Sequence, residues 1–221
     1  QCAWKVLNTY LKQAVPYGDA KPGAVVAIQS FGDFQNFHPH LHVLSTDGCF
    51  YSDGAFMVCP APKTADLEEL FRYEVFKMLK EEGKINDTVI ENMLTWAATP
   101  FGRTMKKALR IWRVELVRRR RIIRASFSQE RMAYVAAEQS ADSIAKVVYE
   151  SKDGKTSKTF DALDWLAQLI THIPNKGEQM VRYYGFYSNK SRGLRKKAGT
   201  DDDVPALIDS DVSPKALKFI M

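Results

Sequence analysis

At 221 residues and 45% hydrophobic content the chain can bury one substantial core or two small ones, which excludes disorder throughout. Its net charge of +6 favours a polyanionic partner such as nucleic acid without requiring one. No apolar run approaches the roughly 18 residues of a membrane span and no signal-peptide pattern opens the chain, so a cytoplasmic location is expected.

From Cys2 to Ala14 the residues Val6, Leu7, Tyr10, Leu11 and Ala14 recur at helical spacing, and Pro16 with Gly18 ends the pattern. The chain begins at Gln1 without an initiator methionine and enters this helix at once, as expected of an N-terminally truncated piece. After Lys21-Pro22-Gly23, the uncharged run Ala24 to Phe31 predicts a buried strand. His40 to Ser45 predicts a second strand, ended by Asp47-Gly48, and Cys49-Phe50-Tyr51 a third in an antiparallel meander. Cys2, Cys49 and Cys59 form no C-x-x-C pair and are odd in number, so reduced thiols are expected, the latter two buried.

Beyond Pro60 and Pro62, Asp66 is placed to cap a helix carrying Leu67, Leu70, Phe71, Val75, Met78 and Leu79 on one stripe, closed by Gly83. A shorter helix follows Asp87. From Ala97 to Arg124 the character changes abruptly, with Arg118 to Arg121 unbroken and Glu115 the single acid. Ile144 to Ser151 and a strand ending at Phe160 predict a hairpin, after which Asp161 is placed to cap a helix with Leu163, Trp165, Leu166, Leu169 and Ile170. Met180 to Phe186 predicts a further strand; Lys190 to Gly199 reads as basic and flexible, and the remainder as an acidic tail. These elements predict an α+β fold, a central antiparallel sheet with helices mainly on one face.

Three of the four histidines, His38, His40 and His42, fall within five residues. Residues two apart on a strand share a face, so His40 and His42 present their imidazoles together while Leu41 and Val43 turn to the buried side. Such a pair suits a divalent ion such as Mn2+, Mg2+ or Zn2+. Because proline cannot donate to a ladder, the strand is expected to start at about His40, after Pro39. A third ligand is needed, and Gln29 on the preceding strand is one candidate, its alternative being an amide that bonds backbone or water at a strand edge; a solvated sheet face would explain the histidine alternation equally. His172 stands near a predicted helix C-terminus, where the helix dipole accounts for it.

Ala24 to Phe50, reading AVVAIQSFGDFQNFHPHLHVLSTDGCF, resembles the signature segment of rolling-circle insertion-sequence transposases, tyrosine transposases of the HUH endonuclease superfamily, with His40-Leu41-His42 as the histidine-hydrophobic-histidine motif. Ser126 to Met132 (SFSQERM) and Thr171 to Gly193 (THIPNKGEQMVRYYGFYSNKSRG) resemble later blocks of the same domain, in the same order. The resemblance implies an HUH-endonuclease-like fold and DNA transposition by metal-dependent nicking and joining of single-stranded DNA at transposon ends. Its cofactor would be a divalent metal ion, Mn2+ or Mg2+, held by His40, His42 and Gln29, with a tyrosine nucleophile that becomes joined to the 5′-phosphate. Arg124, Arg182, Lys190 and Arg192 are the candidate DNA contacts.

Two departures accompany the resemblance. The cysteine-rich N-terminal region of the family is absent, and the tyrosine that precedes Ile-Ile-Arg in the family is Arg121 here, whose guanidinium stays protonated and cannot attack. The expected organisation is a metal-binding half over 1–96, an anomalous basic segment over 97–121, the second half of the domain over 122–190 and a basic then acidic tail over 191–221. The anomalous segment fits a gene read in a shifted frame between two compensating insertions or deletions; a basic DNA-gripping helix is the alternative. Tyr134, Tyr149, Tyr183, Tyr184 and Tyr187 are possible substitute nucleophiles. Two other classes stay open: a non-catalytic DNA-binding remnant, and a metal-dependent hydrolase unrelated to DNA.

Overall fold

The structure, a computed structural model, describes residues 1–15, 18–96, 125–201 and 205–208. The segment 97–121, with Arg121, and Arg124 lie outside the described residues. The described residues adopt the expected α+β class. Their strands fall into three three-stranded sheets rather than gathering in one, because short connections pair strands with their chain neighbours. Residues within Gln1–Val26, Val43–Val117 and Arg182–Met221 form one compact unit, and those within Ala27–His42 and Arg118–Val181 a second.

The first unit is built on α1 (Cys2–Gln13), whose Val6, Tyr10 and Leu11 are buried at the predicted helical spacing. They meet Cys49, Met57, Cys59 and Leu67 in one core. Leu67 comes from α2 (Thr64–Glu81), and Lys5 reaches Glu74 on that helix at 2.6 Å. Helix α2 starts two residues before Asp66, which lies in its first turn beside the dipole rather than at the cap. In α3 (Asp87–Trp96) the cap is Asn86, whose Oδ1 accepts from Val89 N at 2.9 Å. Strand β3 (Gly48–Phe50) pairs antiparallel with β4 (Ala55–Val58), and β4 pairs parallel with β9 (Ala206–Ile208), part of the stretch expected to be tail.

Cys49 and Cys59 are buried thiols, as expected, and both donate to Leu11 O at 3.7 Å. The neighbouring Cys49 sulfur and then burial push the Cys59 thiol up, which favours its protonated form.

In the second unit, β5 (Met132–Val135), β6 (Lys146–Glu150) and β7 (Ser157–Asp161) form an antiparallel meander. Val147 and Tyr149 alternate inward on β6 and pack on Trp165 from α4 (Ala162–Ile170). Asp161 precedes α4 as predicted, but its carboxylate makes no cap. It takes the Lys146 ammonium at 2.6 Å instead, because strand pairing sets Lys146 opposite Asp161. Lys146 also binds Asp142 at 2.7 Å and, with the Ser140 hydroxyl, holds that carboxyl below the usual range. These groups are largely in solvent, so the network adds little stability.

The remaining sheet has the order β2-β1-β8, from β1 (Gly23–Phe31), β2 (Phe37–Ser45) and β8 (Val181–Gly185). In the first unit Thr46 N donates to Gly23 O and Phe186 N to Pro22 O; in the second Ile28 N donates to Met180 O. Strand β2 begins at Phe37 and runs through Pro39, three residues earlier than predicted. As an outer strand it leaves one edge unpaired in this sheet, where a proline does no harm.

Residues 189–198, expected to be flexible, form α5 (Asn189–Ala198). Ser188 Oγ caps it by accepting from Ser191 N at 3.3 Å, and Gly199 closes it in the left-handed conformation, φ 73°. The turn leading to α5 requires Gly185 at φ 58°, where an added Cβ would stand 2.0 Å from Pro22 O and 2.5 Å from Trp4. Gly185→Ala is expected to cost at least about 1–2 kcal/mol for the left-handed backbone alone, with the collision in addition. Urea denaturation of the two proteins checks this, a matching midpoint being the contrary result.

Candidate metal centre and nucleic-acid contacts

The histidine strand follows a turn, at the Gly32-Asp33 break that bounds the first predicted strand, whose left-handed residues the sequence does not announce. Phe34 and Gln35, neither of them glycine, sit in the left-handed region at φ 54° and 57°, a strain of order 1–3 kcal/mol each. Neighbouring groups hold them there: the Lys158 ammonium stands 4.9 Å from the Phe34 ring, and Tyr149 meets that ring at 6.3 Å near perpendicular. His172 locks the turn, its Nε2–H donating to Gln35 O at 2.7 Å while Nδ1 accepts from the Ser30 hydroxyl at 3.0 Å. Its ring also meets Phe31 at 5.7 Å. His172 thus ties the end of β1 to the turn before β2, which explains it better than the dipole of the helix ended two residues earlier.

Beyond the turn, Gly32 admits His38, whose Cβ would be 3.1 Å from a Cβ placed at Gly32. His38, His40 and His42 then follow one another along β2, with ring centroids 5.2 Å and 4.9 Å apart. The expected juxtaposition of the His40 and His42 rings is observed, and both side chains are half-buried. Leu41, expected to face the core, is instead 41% exposed, and Val43, expected beside it, is half-buried.

The chemistry of these donors fits a divalent ion. His40 Nδ1–H donates to His38 O at 2.7 Å, which fixes the tautomer and leaves Nε2 with its lone pair. Two nitrogens ligating one ion at about 2.1 Å stand about 3–3.4 Å apart, a separation that two rings with centroids 4.9 Å apart can adopt. Gln29 is half-buried on β1, and its Nε2 donates to Phe31 O at 3.0 Å, which leaves Oε1 as the atom able to ligate. Among the described residues no group of three His, Cys, Asp or Glu side chains has metal-binding geometry. Among the described residues, a third ligand would be of another kind, such as that amide oxygen.

The surviving tyrosines differ sharply. Tyr149 is buried and its hydroxyl accepts from Ser128 N at 3.0 Å; Tyr184 stacks on Trp4 at 5.4 Å; burial and then Asp47 push the Tyr187 phenol up, away from the nucleophilic phenolate. Tyr134, in the second unit, and Tyr183, in the first, are 64% and 53% exposed.

Of the predicted DNA contacts, Arg182 is exposed on β8 and Lys190 is exposed in the first turn of α5. Arg192 is exposed too but lies 3.6 Å from Asp201, which also takes Arg195 at 3.0 Å. Arg195 was not singled out from the sequence. It donates to Phe186 O at 2.7 Å and lies 3.8 Å from the Phe186 ring centre, so it braces the turn into α5. No helix among the described residues is long and apolar enough to cross a membrane.

A family model described as "Putative transposase" matches residues 23–194, a span that holds the histidine strand, the clamp and the start of α5. No curated protein and no solved structure matches the chain.

Proposed function

This chain belongs to that transposase family, whose proteins act in DNA transposition, and from this premise we propose that it binds single-stranded DNA at transposon ends through an HUH-type, rolling-circle site. His40, His42 and Gln29 would hold a Mn2+ or Mg2+ ion. When bound, the ion polarises a phosphate oxygen and stabilises the charge that develops there. His38 O fixes the His40 tautomer, and the His172 clamp sets the start of the strand that carries both rings. The observation that carries the reading is the juxtaposition of the His40 and His42 rings with the His40 Nδ1 already engaged.

Family chemistry requires a tyrosine that attacks the phosphate and remains joined to the DNA. With Arg121 at that position this copy binds metal and DNA but cleaves little or not at all. The dense arginines of 97–121 are consistent with a gene read out of frame there. Incubating the chain with end-labelled single-stranded DNA and Mn2+ is expected to give a metal-dependent complex and no covalent adduct. Efficient adduct formation overturns the inactivity. Equal affinity with and without Mn2+ removes the metal from the function and leaves a DNA-binding remnant.

A further inference from the structure

Within the first unit, a cavity of about 260 Å³ is lined by Asn8 and Lys12 of α1, Lys21 and Pro22, and the start of α5. From α5 and the turn before it come Gly185, Ser188, Lys190, Ser191 and Leu194. Two lysines of the first 21 residues and one from the distant α5 line it together, and no acid does. Among the described residues none of the three makes an ion pair; Asp19, whose charge Lys21 feels, is bound to the N–H and hydroxyl of Ser52.

We infer that this cavity seats a backbone phosphate of a nucleic-acid strand, held by Lys12, Lys21 and Lys190. All three lysines are exposed and line a space that no acid enters, so a tetrahedral oxyanion there gains charge contacts that the protein itself does not supply. Asn8 and Ser191 also line the space, and Lys190 stands in the first turn of α5, where backbone N–H groups precede any intrahelical bond. Pro22, Gly185 and Leu194 line the same space. Asn8, Lys12 and Lys21 thereby join Lys190 as DNA contacts. The inference rests on the DNA-binding reading proposed above, but not on the metal.

The test uses the whole chain and a dye-labelled oligothymidine. The slope of log affinity against log salt is expected to fall by about 0.7 for each of Lys12→Gln, Lys21→Gln and Lys190→Gln, and by about 2 for the triple variant. Lys84→Gln, an exposed lysine outside the cavity, should leave the slope unchanged. Lysine acetylation of the unaltered chain, read by mass spectrometry, gives a variant-free check: the oligonucleotide protects the three lysines and not Lys84. If the chain binds the oligonucleotide with an unaltered slope in the triple variant, the cavity is no DNA contact and the inference falls while the DNA-binding reading stands. If the unaltered chain fails to bind, both fall. Protection by inorganic phosphate at matched ionic strength, without protection by the oligonucleotide, assigns the cavity to free anions and overturns the inference.

Discussion

Replacing Trp165 by alanine is expected to cost the second unit about 3–5 kcal/mol, in line with removal of a buried Trp from a core. That core is small: Val147, Tyr149 and Trp165 are its buried members, and the indole lies 5.0 Å from the Tyr149 ring and 5.2 Å from Phe160. Phe34 packs against the same cluster, so loss of the indole also loosens the strained turn ahead of the histidine strand. Hydrogen exchange read by peptide mass provides the check. Amides in Lys146–Glu150 and Ser157–Asp161 should exchange some hundreds to thousands of times faster, as that free energy implies. Unchanged protection of these strands would show that the indole is not what holds the meander.

The second large effect concerns the proposed metal centre. The double substitution His40→Ala with His42→Ala is expected to raise the Mn2+ dissociation constant by more than about 100-fold, since removal of groups outside the first ring of ligands already costs 10–100-fold. Stability should change little, because both side chains are half-buried on an outer strand rather than in either core. Isothermal titration with Mn2+, beside a urea curve for each protein, separates the two quantities. Retained Mn2+ affinity in the folded double variant would remove the histidine pair from the metal chemistry.

Much of the candidate site was legible because its geometry is local. Period-two alternation alone puts His40 and His42 on one face of a strand, and the structure brings their rings together. The same pattern misplaces Leu41, since alternation states which face a residue takes but not whether anything packs on that face. The role of His172 was not legible. Its partners, Ser30 and Gln35, lie more than a hundred residues earlier in the chain, and the left-handed turn that it locks is occupied by Phe34 and Gln35, which carry no turn signature. A similar distance hides the place of Lys190 beside Lys12 and Lys21 in one cavity lining.

By itself the sequence determined the elements whose burial repeats at short range: α1, β1, the β6–β7 hairpin, α4 and the α+β class they compose. Tertiary structure alone decided β4, β5 and β9, runs of three or four residues that become strands only when a partner supplies their hydrogen bonds. It also decided that Asp161 serves Lys146 rather than a helix cap, and that the cationic 189–198 stretch is a helix closed at both ends. The physical reason is common to these cases: a local pattern fixes which atoms want partners, and only the packed chain fixes which partners come within reach.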